Sequence, residues 1–212
     1  MIKAIIFDMD GVLVDASDWH YRALNKALGH FGYKISLQDH KKKFDGLPTL
    51  KKLELLTIAP QLYSSINELK QKYTVEMIEK FCNPNLELKE TLIRLKEEGY
   101  KLSVASNSMG KTVDLILLKS GLINYFEFYL SNEDVLKTKP NPEIYFKTME
   151  KHNFSPKESL ILEDNQNGIK AAIDSGAHLM RVHKISEVNY QNIKKVINRI
   201  NSFHINNIRT PN

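Results

Sequence analysis

Short apolar runs alternate with stretches of helical periodicity through most of the chain. KAIIF (3–7), KLSVAS (101–106), FEFYLS (126–131), SLILE (159–163) and HLMRV (178–182) read as strands. Between them, ELKETLIRLKEEG (87–99), KTVDLILLKSG (111–121), NPEIYFKTMEKHN (141–153) and NGIKAAIDSG (167–176) carry apolar residues at helical spacing. Three of the four close on or near Gly, the expected helix stop. Strand–helix–strand repetition with apolar strands predicts a parallel sheet covered on both faces, an α/β doubly wound (Rossmann-like) core.

One segment breaks the alternation. From about Ser17 to Asn85 no strand pattern occurs, and DWHYRALNKALGHFG places Trp19, Ala23, Ala27 and Phe31 near one helix face. PTLKKLELL and QLYSSINELKQKYTVEMIEKF predict further helices. The expected organisation is therefore a core of residues 1–14 and 86–212 with an all-helical cap, residues 15–85, inserted after the first strand. Two chain crossings would make a hinge. Asp15 is expected to serve as a hinge or helix N-cap residue, Trp19 as part of the cap core, and Asn165 and Asn167 as caps of the helix that follows them. The Asn-rich INRINSFHINNIRTPN (197–212) predicts a terminal helix followed by a loose tail.

Composition changes this picture little. The chain has 212 residues, 42% apolar and 26% charged, which suits a soluble globular protein. No apolar run approaches the roughly 20 residues that cross a bilayer, and the N-terminus enters strand-like sequence directly, so a cytoplasmic protein off the membrane is expected. Cys82 is the sole cysteine, which excludes an internal disulfide and a thiolate metal cluster. The formal charge of +5 comes from scattered residues, with HKKKF (40–44) as the densest run. No nucleic-acid-binding signature accompanies it, so no nucleic-acid partner is expected, and the run reads as a solvated helix face. A monomer or weak dimer is expected.

The chemistry collects at strand ends. IIFDMDGVLVD (5–15) runs an apolar strand straight into Asp8 and Asp10, two carboxylates that repel unless a cation offsets them. Ligands of open α/β sheets bind outside the carboxyl ends of the strands, and Asp8, Asp10, Ser106, Glu163 and Asp164 all fall there. Lys139 sits in KTKPNPE, where two prolines stiffen the loop entering a helix. Oxygen ligands suit a hard ion such as Mg²⁺, a carboxylate can attack phosphorus, and a second can move the proton. Ser106 and backbone N–H groups near Met9 and Asn107 can hold phosphoryl oxygens, and Lys139 adds compensating charge.

The ordered motifs FDMDGVLVD, VASNS, KPNPEIY and ILEDNQNGIKAAIDSGA resemble those of the haloacid dehalogenase-like hydrolase superfamily, with the helical-cap phosphatases and beta-phosphoglucomutase-like proteins nearest in pattern. That resemblance implies Asp8 as nucleophile, Asp10 as general acid/base, and Ser106 and Lys139 as phosphate holders. It also implies a Mg²⁺ site of Asp8, the Asp10 backbone carbonyl, Glu163 and Asp164. The dehalogenase branch does not keep an acid/base aspartate where this chain has Asp10, so phosphoryl chemistry is favoured.

Within that group the cap residues decide. His20 matches a hinge histidine of the mutases and Lys70 the position of their cap lysine. Thr49 stands where a mutase phosphate-binding arginine is expected, and losing that fork weakens a grip on two phosphates. His20, Thr49, Lys70 and Asn107 are the candidate substrate contacts, while Lys51 and Lys52 read as a solvated face. GLPTLKKLELL resembles cap segments of sugar-phosphate phosphatases. The expected function is a magnesium-dependent phosphatase of a small phosphorylated metabolite, a sugar phosphate foremost, working through an aspartyl phosphate. The alternatives are a sugar phosphomutase and a non-catalytic binding module.

Overall fold

The computed structural model describes residues 1–44 and 46–208. Five parallel strands, β1 (Ala4–Phe7), β2 (Lys101–Ala105), β3 (Phe128–Leu130), β4 (Ser159–Glu163) and β5 (His178–Arg181), form one sheet in the order β3-β2-β1-β4-β5. The chain leaves β1 to one side for β2 and β3, then returns to its other side for β4 and β5. This reversal puts the carboxyl end of β1 at the crevice where such sheets bind ligands.

Side chains alternate across the sheet, so the two faces bury different residues. Ile5, Phe7, Leu102, Val104, Leu160 and Leu162 pack on one face against α5 (Leu86–Glu97), α6 (Gly110–Lys119) and α9 (Tyr190–Ile208). Ile6, Ala105 and Ile161 face the other way, against α7 (Glu143–His152) and α8 (Gln166–Asp174). Both faces are thus covered, which is why the strands carry apolar residues at consecutive positions.

Helices also fill the segment between β1 and α5. They are α1 (Ser17–Gly29), the single turn α2 (Leu37–Asp39), α3 (Thr49–Leu55) and α4 (Tyr63–Phe81). Ala23, Leu24, Ala27 and Leu28 of α1 meet Leu53 of α3 and Ile66 and Tyr73 of α4 in a separate apolar cluster. Between α2 and α3, HKKKF forms a π-helical turn that buries His40 and Phe44 and leaves the three lysines exposed.

Three sequence expectations are corrected. Trp19 packs against the sheet's own cluster beside Ala16, Ile78 and Cys82, because the first turn of α1 lies over the core rather than inside the insert. Asp15 is exposed and the N-cap of α1 is Ala16, with no side-chain cap bond. Asn165 does cap α8, accepting from the Gly168 amide, but Asn167 is the second residue of the helix itself. The expected terminal helix is present to Ile208, while the expected tail at 209–212 lies outside the described residues. No helix among the described residues is long and apolar enough to cross a membrane.

Candidate active site

At the carboxyl end of β1 the chain turns sharply. The amides of Val12, Leu13 and Val14 all point at the Met9 carbonyl, and Gly11 donates to Val14 at 2.7 Å. Gly11 has φ +86°, and a Cβ there would lie 1.9 Å from Asp164 Oδ2, so only glycine fits between the β1 loop and Asp164. This turn brings Asp8 and Asp10 against the ends of β2 and β4.

Lys139 is the centre of the buried layer. Its ammonium donates to Asp8 Oδ1 at 2.6 Å, Glu163 Oε1 at 2.5 Å and the Ala105 carbonyl at 2.8 Å. Burial alone would lower its pKa, but Asp8 and Glu163 outweigh that and hold it above the usual lysine value. Tyr145, from α7, donates to the same Glu163 oxygen at 2.6 Å. The other Glu163 oxygen accepts from the Asp164 amide and from Asn165 Nδ2. Glu163 is wholly buried, and Gly168 allows this, because a Cβ there would fall 1.8 Å from Glu163 Oε1.

Asp8, Glu163 and Asp164 each present an oxygen, all within 4.8 Å of one another. Burial first, then the charge of Glu163, pushes the Asp8 carboxyl well above the usual carboxylate range, with Asp164 and Asp10 adding to the shift against the pull of Lys139. Asp10 behaves oppositely. Burial would raise it, but His20, at 3.2 Å from Oδ2, and the Ser108 hydroxyl donating to Oδ2 at 3.2 Å leave it below its ordinary value. Two aspartates two residues apart are therefore driven in opposite directions by their neighbours.

Above this layer lies a partly open cavity of about 80 Å³. Asp10, Asn107, Ser108 and Asp164 face it from the sheet side; His20, Thr49, Lys52 and Lys70 face it from the helical insert. Asn107 joins the two sides, donating to the Gly46 carbonyl at 2.9 Å while its Oδ1 accepts from the Lys139 amide at 3.0 Å. Ser106 lies just below, 1% exposed, with its hydroxyl accepting from the Ser108 amide.

The candidate site residues Asp8, Asp10, His20, Thr49, Lys70, Ser106, Asn107, Lys139, Glu163 and Asp164 thus gather around one sheet edge and the cavity above it. Sequence reasoning missed three others. Ser108 follows Ser106 by two and was hidden within VASNS. Tyr145 looks like one more apolar-stripe residue, although a buried hydroxyl always needs a partner. Lys52 corrects an expectation outright: it is 8% exposed and lines the cavity, because α3 turns this side inward. Lys51, its neighbour, is exposed and pairs with Glu54 at 2.8 Å.

This arrangement has counterparts among known proteins. A phosphorylated carbohydrates phosphatase of Thermotoga maritima is 28% identical over 178 residues, 82% of each chain. A phosphoglycolate phosphatase of Aquifex aeolicus is 29% identical over 175 residues, again 82% of each. The crystal structure of a beta-phosphoglucomutase from Clostridium difficile superposes with a TM-score of 0.83, covering 97% of this chain and 100% of that one; at 22% identity the likeness speaks for the fold. The profile of the haloacid dehalogenase-like hydrolases matches residues 5–182, and the chain belongs to that family.

Proposed function

We propose that the protein is a magnesium-dependent phosphatase that hydrolyses a small phosphorylated metabolite, a sugar phosphate foremost, through an aspartyl-phosphate intermediate. The carrying observation is the pair Asp8 and Asp10. One lies buried beside Lys139 and the other is held at the cavity by His20 and Ser108. The relatives named above act on phosphorylated carbohydrates and phosphoglycolate, which supports a small phosphate ester as substrate.

In the first step an Asp8 oxygen attacks phosphorus while Asp10 gives a proton to the departing alkoxide oxygen. The lowered pKa of Asp10 describes its resting, ionised form. Negative charge arriving with the phosphate raises its proton affinity and readies it as an acid. In the second step Asp10 takes a proton from water, the water attacks the aspartyl phosphate, and Asp8 and inorganic phosphate are released. Lys139 counters charge on the transferring group, and Ser106 with the backbone N–H groups of the β1 and β2 loops holds its oxygens.

The donor set is all oxygen, and the carboxylate charges that add to burial in raising Asp8 are what a bound cation relieves. Asp8, Asp164 and the Asp10 carbonyl would hold magnesium. Glu163, expected from the sequence among the ligands, has both oxygens engaged by protein donors and would instead support Lys139 and Asp164 from behind. Bound there, the ion would keep Asp8 ionised and draw charge from the phosphoryl oxygens.

Phosphate release from a panel of phosphorylated metabolites, with magnesium and with excess EDTA, tests this reading. Activity is expected only with the metal, and Asp8→Asn should abolish it. Undiminished release by folded Asp8→Asn would refute the mechanism. Interconversion of sugar phosphate isomers primed by a bisphosphate, in place of phosphate release, would identify a phosphomutase.

A further inference from the structure

We infer that Asn132, together with Gln71 of the helical insert, selects for a hydroxyl group on the leaving alcohol of the substrate. This rests on the phosphatase reading and names what the ester must carry beyond its phosphate.

Asn132 opens a single 3-10 turn, Asn132–Asp134, just past β3, so it reaches the same sheet edge as Asp8 and Ser106. The turn is well braced. Ser131 and Asp134 cap it reciprocally, the Asn132 amide donates to the Ser108 carbonyl at 3.1 Å, and the Gly110 amide donates to Glu133 Oε2 at 2.8 Å. Three asparagines line the cavity, Asn107, Asn132 and Asn165, and the protein engages both ends of two of them. Asn107 donates to the Gly46 carbonyl and accepts from the Lys139 amide; Asn165 donates to Glu163 and accepts from the Gly168 amide. Asn132 differs. Its Oδ1 is buried and accepts no hydrogen bond from the described residues.

A buried acceptor left without a donor costs free energy, so this position calls for a donor that arrives with the ligand. Its place in the site says which part of the ligand brings it. Asp10 must touch the departing oxygen, the Ser108 hydroxyl donates to Asp10, and the Asn132 amide is bonded to the Ser108 carbonyl. Asn132 therefore flanks the leaving alcohol, whereas the phosphoryl oxygens are acceptors themselves and cannot answer Oδ1. Gln71, on α4, lines the same cavity. Its Oε1 accepts from the Thr112 hydroxyl of α6 at 3.4 Å, which leaves its N–H groups as the donors on that wall. One acceptor and one donor match a hydroxyl, which gives one hydrogen bond and takes another. An ammonium would also donate to Asn132, but Lys70 on the same cavity repels it.

The test compares kcat/KM at saturating magnesium for esters that differ in hydroxyl groups: glycerol 3-phosphate against propyl phosphate, and ribose 5-phosphate against 2-deoxyribose 5-phosphate. The wild type should prefer the more hydroxylated member of at least one pair by about tenfold. Asn132→Leu, close in shape but without an acceptor, and Gln71→Met should each cut that preference to about threefold or less. Thermal unfolding supplies a second reading. Replacing an unanswered acceptor by an apolar group of similar shape should leave the melting temperature of Asn132→Leu at or above that of the wild type. A fall of several degrees would show that the carboxamide already serves the fold, and would overturn the inference. So would equal use of both members of both pairs, or a preference that survives Asn132→Leu. If the wild type releases phosphate from none of these esters, the phosphatase reading falls, and calorimetric binding of glycerol 3-phosphate and propyl phosphate to the wild type and to Asn132→Leu decides the hydroxyl site by itself. Tighter binding of the glycerol ester that Asn132→Leu abolishes supports the site, and equal binding of the two esters overturns it.

Discussion

Lys139 is a buried ammonium shared between two buried carboxylates, and such a set holds only while all its members are present. Lys139→Met would leave Asp8 and Glu163 facing each other without a cation, a loss of about 3–5 kcal/mol. We expect a clear drop in unfolding temperature together with loss of phosphate release; a folded, fully active variant would contradict the role given to this residue. Gly168 acts by absence. A methyl group there would collide with Glu163 Oε1, and Glu163 cannot retreat because Lys139, Tyr145 and Asn165 fix both its oxygens. Gly168→Ala should cost about 1–3 kcal/mol and lower kcat by displacing Glu163. Wild-type melting and turnover would mean that the helix slides freely. The two residues differ in legibility. Lys139 stands out in KTKPNPE, whereas nothing in NGIKAAIDSG says that its glycine touches a carboxylate.

At the scale of elements, α7 is pinned to the sheet by His152. Its Nε2 lies 2.9 Å from Ser103 Oγ on β2, and its ring packs on Phe128 of β3 and on Phe154. Burial lowers its pKa from the usual 6.5, more than Glu127 raises it. A depressed folded-state value means that the unfolded chain binds the proton more readily. The stability linked to His152 is therefore whole above pH 6.5 and declines as pH falls below it toward the folded value. Thermal unfolding from pH 8 to pH 5 should show this decline, and His152→Gln should flatten it; an equal slope in both proteins would assign the decline to other groups. The periodicity of NPEIYFKTMEKHN announces the helix, but the pairing of its last turn with Ser103 depends on how α7 lies across two strands that are distant in sequence.

For the whole molecule, the decisive feature is that the helical insert closes over the sheet edge. Asn107 bonds the Gly46 carbonyl, and the cavity walls come from both parts. The chain crosses between them twice, before α1 and after α4, so binding that spans both walls should favour the closed arrangement. With magnesium and a phosphate mimic added, amide exchange across residues 46–52 should slow relative to the ligand-free protein. Unchanged exchange at that loop, alongside protection at the β1 turn, would show that the insert takes no part in binding.

The sequence by itself determined the doubly wound core, the helical insert and the edge at which Asp8, Asp10, Ser106, Glu163 and Asp164 collect. Apolar runs that stop at polar residues encode both the strands and the groups delivered at their ends, and that information is local. Tertiary structure alone decided which way the insert's side chains point. It set Lys52 inward and Lys51 outward, placed Trp19 on the main core, and brought Ser108 and Tyr145 to the two acidic groups. These outcomes depend on which helix face meets which neighbour, and adjacent lysines on one amphipathic helix look alike until that neighbour is in place.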